Sequence, residues 1–119
     1  MGRITTHVLD VASGTPARGV RVTLYARDDK GGALTRVAEA STNAEGRCDA
    51  PLVEGDALKR GRYRLCFAIG AYFAARGVAS GDLPFLDEVV VDFGVDDASG
   101  HYHVPLVASP WSYSTYRGS

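Results

Sequence analysis

The chain has 119 residues, with 13 Lys and Arg against 14 Asp and Glu for a formal net charge of −1. That length predicts one domain, residues 1–119, able to bury roughly two-thirds of its unfolded surface. Balanced, scattered charge excludes the electrostatic footprint of a nucleic-acid or acidic-membrane binder, and no apolar run approaches the ~20 residues of a spanning helix.

Residues 4 to 11 (ITTHVLDV) alternate as a strand closed by the turn formers Ser13-Gly14-Thr15-Pro16. The stretch MGRITTHV lacks a signal peptide's apolar core, so a cytoplasmic protein is expected. A second strand, 20 to 27, sets Val20, Val22 and Leu24 on one face and Arg21, Thr23 and Tyr25 on the other. Asp28 to Gly32 is a hairpin loop leading to a third strand, 34 to 41. Asn43-Ala44-Glu45-Gly46 then turns the chain into a short fourth strand near Cys48 to Leu52, and Gly55 to Gly61 is loop. Residues 62 to 69 alternate again with Tyr63, Leu65, Phe67 and Ile69 inward, and Ala71 to Gly77 is the one credible helix, stopped by its glycine. Leu86 to Phe93 is a strand with Val89, Val91 and Phe93 facing one way. Asp96 to Gly100 turns it into the closing pair, His101 to Ala108 and Ser112 to Arg117. Seven or eight short strands with one short helix predict an all-β, two-sheet sandwich.

Cys48 and Cys66 lack metal-type spacing and are expected to be reduced thiols. The three histidines, His7, His101 and His103, all fall in strands. Because Val104, Leu106 and Ala108 form the apolar set of their strand, His101 and His103 leave the core together on the other side with Pro105 and Val107. If the first and the two last strands are neighbours, His7, His103, Ser114 and Tyr116 share an outer face. Imidazoles exchange protons near neutral pH and can serve an attacking water and a leaving nitrogen. Arg47, just after the turn, is a permanent planar cation suited to a carbonyl oxygen or a urate-like anion. Tyr116 can stack on a flat ring, and Ser119 with the final carboxylate can bond to ring amides. Taken singly, each of these is also an ordinary strand or turn residue. Two competing chemistries are a zinc site built from the three histidines and a thiol mechanism through Cys66, for which no sequence neighbour lowers the pKa.

The segments ITTHVLDVASGTPA, TNAEGR and HYHVPLVASPWSYSTYRGS resemble the signatures of the 5-hydroxyisourate hydrolase family, whose fold is shared with transthyretin. The resemblance implies a transthyretin-like sandwich and a catalytic set of His7, Arg47 and His103. It also implies that the closing tetrapeptide Tyr116-Arg117-Gly118-Ser119 lines the site together with Ser114. The implied reaction opens a ring amide of 5-hydroxyisourate to 2-oxo-4-hydroxy-4-carboxy-5-ureidoimidazoline without metal or organic cofactor, in a homotetramer built as a dimer of dimers. Transthyretin resembles the chain in VLD and SYST but lacks the histidines, the arginine and YRGS. Trp111 and Asp87 depart from the family pattern, where Tyr and Pro are usual, and neither belongs to the catalytic set. The alternative is a non-enzymatic, transthyretin-type carrier of small planar ligands. Which histidine is base and which is acid stays open, as does any role for His101.

Overall fold

Alternation of apolar and polar side chains builds most of this molecule, and the computed structural model describes residues 1–78 and 81–119. Strand β1 (Arg3–Asp10) buries Ile4, Thr6, Val8 and Asp10 and turns Arg3, Thr5, His7 and Leu9 outward. It belongs to a sheet with β2 (Thr15–Pro16), β5 (Val53–Glu54), β8 (His101–Ala108) and β9 (Tyr113–Thr115), in the order β2-β1-β8-β9 with β5 also on β1. The second sheet runs β4-β3-β6-β7, from β3 (Arg21–Arg27), β4 (Leu34–Ser41), β6 (Gly61–Phe67) and β7 (Val89–Val95). Ile4, Val8 and Leu106 of the first sheet and Val22, Leu24, Leu65 and Phe67 of the second are fully buried between the layers. Helix α1 (Ile69–Ala75) adds Ile69 and Phe73 to this core. The architecture is the mostly-β, two-sheet sandwich with one short helix that the alternation predicts.

β1 and β8, drawn from opposite ends of the chain, pair in parallel along their whole length, with Thr5 opposite His103 and His7 opposite Pro105. One edge of β1 is thereby used up. The other is shared by β5 against Arg3 and Ile4 and by β2 against Leu9 and Asp10. The middle of that edge receives the turn before Arg47, through a His7–Arg47 bridge and a 2.8 Å bond from Val8 N–H to the Gly46 carbonyl.

Tertiary pairing moves several element bounds away from the sequence reading. The short fourth strand forms at Val53–Glu54 rather than Cys48 to Leu52, because that pair meets β1. β7 extends to Val95, since Gly61 pairs with Val95, and starts at Val89 rather than Leu86. Ile69 belongs to the helix, which begins there rather than at Ala71. Gly55–Ala57, expected as loop, makes a 3-10 turn. Thr15 and Pro16 pair with β1 as well as turning the chain, and the last strand keeps only Tyr113–Thr115.

Asp10 ties the helix to β1. Its Oδ1 accepts from the Ala12 and Ser13 amides at 2.9 and 3.0 Å and its Oδ2 from the Tyr72 hydroxyl at 2.8 Å. Burial pushes the carboxyl up, but the bonds from Tyr72, Ser13 and Ala12 outweigh it and hold it below its ordinary value. Burial and then Asp10 push the Tyr72 phenol up to about 12. A carboxyl depressed by folding stabilises fully above its unfolded pKa of about 3.9, and that gain is lost as pH falls through the folded value. Tyr72→Phe is therefore expected to cost about 1–3 kcal/mol at neutral pH. It should also flatten the fall of stability with acid, as read by denaturant titrations at a series of pH values; unchanged stability and slope would contradict this.

Candidate active site

The outer face of the first sheet carries Arg3, Thr5, His7 and Leu9 from β1 beside His101, His103, Pro105 and Val107 from β8. Parallel pairing makes the two polar rows adjacent, which strand periodicity alone could not establish. A depression of ≈ 340 Å³ opens there, walled by Arg3, Thr5, Arg47, His101, His103 and Ser119 among others. Larger concavities of ≈ 730 and ≈ 620 Å³ lie on the second sheet, but neither holds an imidazole, and Arg27 and Arg64 there are already paired with Asp92. Size therefore does not locate the chemistry in this molecule.

Arg47 reaches the face through its turn. The Asn43 side-chain oxygen accepts from the amides of Glu45 at 2.9 Å and Arg47 at 3.1 Å, while Asn43 N–H donates to the Arg47 carbonyl at 2.7 Å. Gly46 has φ +78°, and a β-carbon there would lie 3.2 Å from the His7 ring and collide with the Val8 carbonyl, so the bend that delivers Arg47 is a glycine position. The guanidinium itself is exposed, and no carboxylate lies within ion-pair distance of it among the described residues.

His7 sits beside this turn, outside the wall of the depression, with Nε2 2.9 Å from the Glu45 carbonyl. A carbonyl oxygen can only accept, so Nε2 is the donor in this contact, and Nδ1 is the nitrogen it leaves unengaged. His103 Nδ1 and His101 Nε2 both lie 2.8 Å from the Thr5 hydroxyl. That contact leaves Nε2 of His103 available to water. Burial, then Arg47, His101 and His7, push the His103 pKa down, and burial, Arg3 and Arg117 do the same for His101. Both rings are thus neutral at pH 7 and able to take a proton.

The end of the chain divides between two places. Gly118 N–H donates to the His103 carbonyl at 2.8 Å, and Ser119 reaches the depression. Tyr116 and Arg117 instead line an apolar groove of ≈ 300 Å³ at the open edge of the sandwich, with Val91, Phe93 and Tyr102. The Arg117 guanidinium stacks 4.2 Å from the Tyr102 ring centre. Ser114, opposite Val107, is on the same outer face as the histidines but outside the depression's wall.

Among the described residues, no three His, Cys, Asp or Glu side chains converge as metal ligands. One nitrogen of each histidine is already committed to the Glu45 carbonyl or the Thr5 hydroxyl. The thiols of Cys48 and Cys66 are both pushed up, first by burial and then by Asp49 and Glu88 respectively, so neither is poised as a thiolate. Two residues of the site escaped the sequence reading. Thr5 is visible only through the β1–β8 register, and Asn43 only as the acceptor that shapes the Arg47 turn; an Asn opening a turn that ends in Gly was the available signal.

Residues 4–118 match the family model described as the HIUase/Transthyretin family. A 5-hydroxyisourate hydrolase of Ralstonia nicotianae is 54% identical over 119 residues, covering 100% of both chains. Among solved structures, sea bream transthyretin in complex with thyroxine superposes with a TM-score of 0.86 at 29% identity, covering 98% of this chain and 94% of that one. The structure of (S)-allantoin synthase superposes with a TM-score of 0.92 at 42% identity; the match covers 99% of this chain but spans 44% of the length of that one.

Proposed function

The chain belongs to the HIUase/Transthyretin family, and from that premise we propose that it is a hydrolase that opens a ring amide of 5-hydroxyisourate in urate degradation. The observation that carries this reading is the convergence of Arg47, His7 and His103, far apart in sequence, at one face where two imidazoles border a guanidinium that has no carboxylate partner among the described residues. Water is oriented and deprotonated between His7 and His103. It adds to the carbonyl carbon, and Arg47 holds the substrate and offsets the charge growing on the oxygen. Collapse of the tetrahedral species breaks the carbon–nitrogen bond, and the leaving nitrogen is protonated. The product of this step is 2-oxo-4-hydroxy-4-carboxy-5-ureidoimidazoline. The residues in hand suffice for this chemistry, since proton transfer and charge compensation are all it requires.

Ser119 and the Gly118 backbone border the substrate beside His103, with Ser114 on the same face. Tyr116 and Arg117 join them through assembly. β7 and β9 each form one edge of their sheets and lie on the same side of the sandwich, joined by the groove that Tyr116 lines. Unpaired backbone groups on such edges favour pairing across a two-fold axis. A homotetramer made of two such dimers is the assembly we propose.

Ultraviolet decay of freshly generated 5-hydroxyisourate tests the activity. Because the substrate also hydrolyses unaided, acceleration over the spontaneous rate is the required result, and its absence removes the proposal. The competing reading, a carrier of planar ligands, draws on the likeness to the thyroxine complex of transthyretin. It makes no use of His7, Arg47 or His103.

Gly118→Ala provides a local check. Its β-carbon would lie 2.6 Å from Cδ2 of His103, so either the ring or the tail must move. Displacements near 1 Å at a reacting group cost about 10²-fold. A fall of that order in kcat/KM, with an unchanged thermal midpoint, is expected; wild-type rates would separate the tail from the chemistry.

A further inference from the structure

The two histidines of β8 are joined by a single hydroxyl. Thr5 Oγ1 lies 2.8 Å from His101 Nε2 and 2.8 Å from His103 Nδ1, held there by the parallel register that sets Arg3 and Thr5 opposite those residues. A hydroxyl has one proton and two lone pairs, so it can donate to one ring while accepting from the other, and cannot donate to both. We infer that Thr5 couples the protonation of His101 to that of His103 and makes His101 a proton store for the hydrolysis proposed above, on which this role rests.

The proton count closes. At the start, His103 Nδ1–H donates to Oγ1, the hydroxyl donates to His101 Nε2, and His103 Nε2 offers a lone pair. As the water oxygen bonds to the carbonyl carbon, its proton goes to His103 Nε2, the Nδ1 proton goes to Oγ1, and the hydroxyl proton goes to His101 Nε2. His101 now carries the positive charge, while His103 is neutral with its proton on Nε2, converted from base to acid. When the carbon–nitrogen bond breaks, the leaving nitrogen takes the Nε2 proton. In the same motion the two internal protons return from His101 to Oγ1 and from Oγ1 to Nδ1, so His103 is never left without a proton. One water has been added across one amide bond, and the side chains end as they began. Burial first, then Arg3 and Arg117 at His101 and Arg47, His101 and His7 at His103, push both pKa values down, so the stored charge is transient.

This arrangement has a signature that does not depend on substrate. With one hydroxyl proton between them, neutral His101 and His103 must be the same tautomer, both protonated at Nδ1 or both at Nε2. Nitrogen-15 NMR of the ligand-free protein should show matched tautomers in the wild type and in Thr5→Ser, and independent ones in Thr5→Val, which keeps the branched shape without the hydroxyl. In the ultraviolet assay, Thr5→Val and His101→Phe should each lower kcat by about tenfold or more with KM little changed. Thr5→Ser should restore the rate, and the double variant should be no slower than either single one, as expected for residues acting as a unit. Circular dichroism confirms folding in each case. Opposite tautomers in an active wild type, or full turnover in Thr5→Val, would overturn the coupling. Matched tautomers in a protein that does not accelerate hydrolysis would instead remove the hydrolase reading, and the proton store with it.

Discussion

Replacing His103 by Asn should leave a folded protein that has lost about 10²–10⁴-fold in kcat, the usual contribution of a positioned acid or base. The ring is half-exposed on the outer face of its sheet, opposite the side where Val104 and Leu106 enter the core, so little packing is lost. Asn also retains a polar atom close to where Nδ1 meets Thr5, which avoids stranding that hydroxyl. The wild-type pH profile should report the same group. Burial, Arg47, His101 and His7 all push the His103 pKa below its ordinary value near 6.5. The neutral, proton-accepting form therefore persists below pH 6.5, and kcat/KM should fall only as pH drops through that lowered value. His7→Asn is expected to act in the same direction. Near-normal turnover in both variants, measured by ultraviolet decay against the spontaneous rate, would remove the mechanism.

The second large effect is expected at Arg47. Arg47→Gln should lower kcat/KM by about 10²–10³-fold, comparable to losing one donor that stabilises an oxyanion. Arg47→Lys should recover only part of this, because an ammonium is a point charge and does not offer the planar fork that grips a carbonyl or an anionic ring. Neither change should unfold the turn. Its bonds run from the Glu45 and Arg47 amides to Asn43 and between the Asn43 and Arg47 backbones, and none involves the guanidinium. Equal loss of activity and of thermal stability in Arg47→Gln would mean that the side chain holds the loop rather than the substrate.

Site and scaffold are linked by one strand. β1 gives one edge entirely to β8 and divides the other between β5, the Arg47 turn and β2. A single strand thus positions His7 and Thr5 directly, His101 and His103 through the register, and Arg47 through the bridge. Asp10, at the far end of the same strand, anchors it to the helix. Stability and chemistry accordingly share β1, and Tyr72→Phe reports on the first without touching the groups of the second.

The amino-acid sequence by itself determined which side chains point out. The period of two in ITTHVLDV and in HYHVPLVA is a local property of extended backbone, and it sent His7, His101 and His103 away from the core before any neighbour was known. The turn chemistry around Asn43 and Gly46 was equally local, as was the helix near its glycine stop. Only the tertiary structure decided which strands lie together, because the β1–β8 pairing joins the two ends of the chain and depends on packing across the sandwich. That pairing put Thr5 between two imidazoles. Alternation read past Thr115 set Tyr116 on the histidine face, but β9 ends at Thr115, and the residues beyond follow what they pack against. Gly118 lies on His103, Arg117 lies on Tyr102, and Tyr116 turns to the groove beside β7. Periodicity holds only while a residue is in a strand; beyond its end, contacts distant in sequence take over.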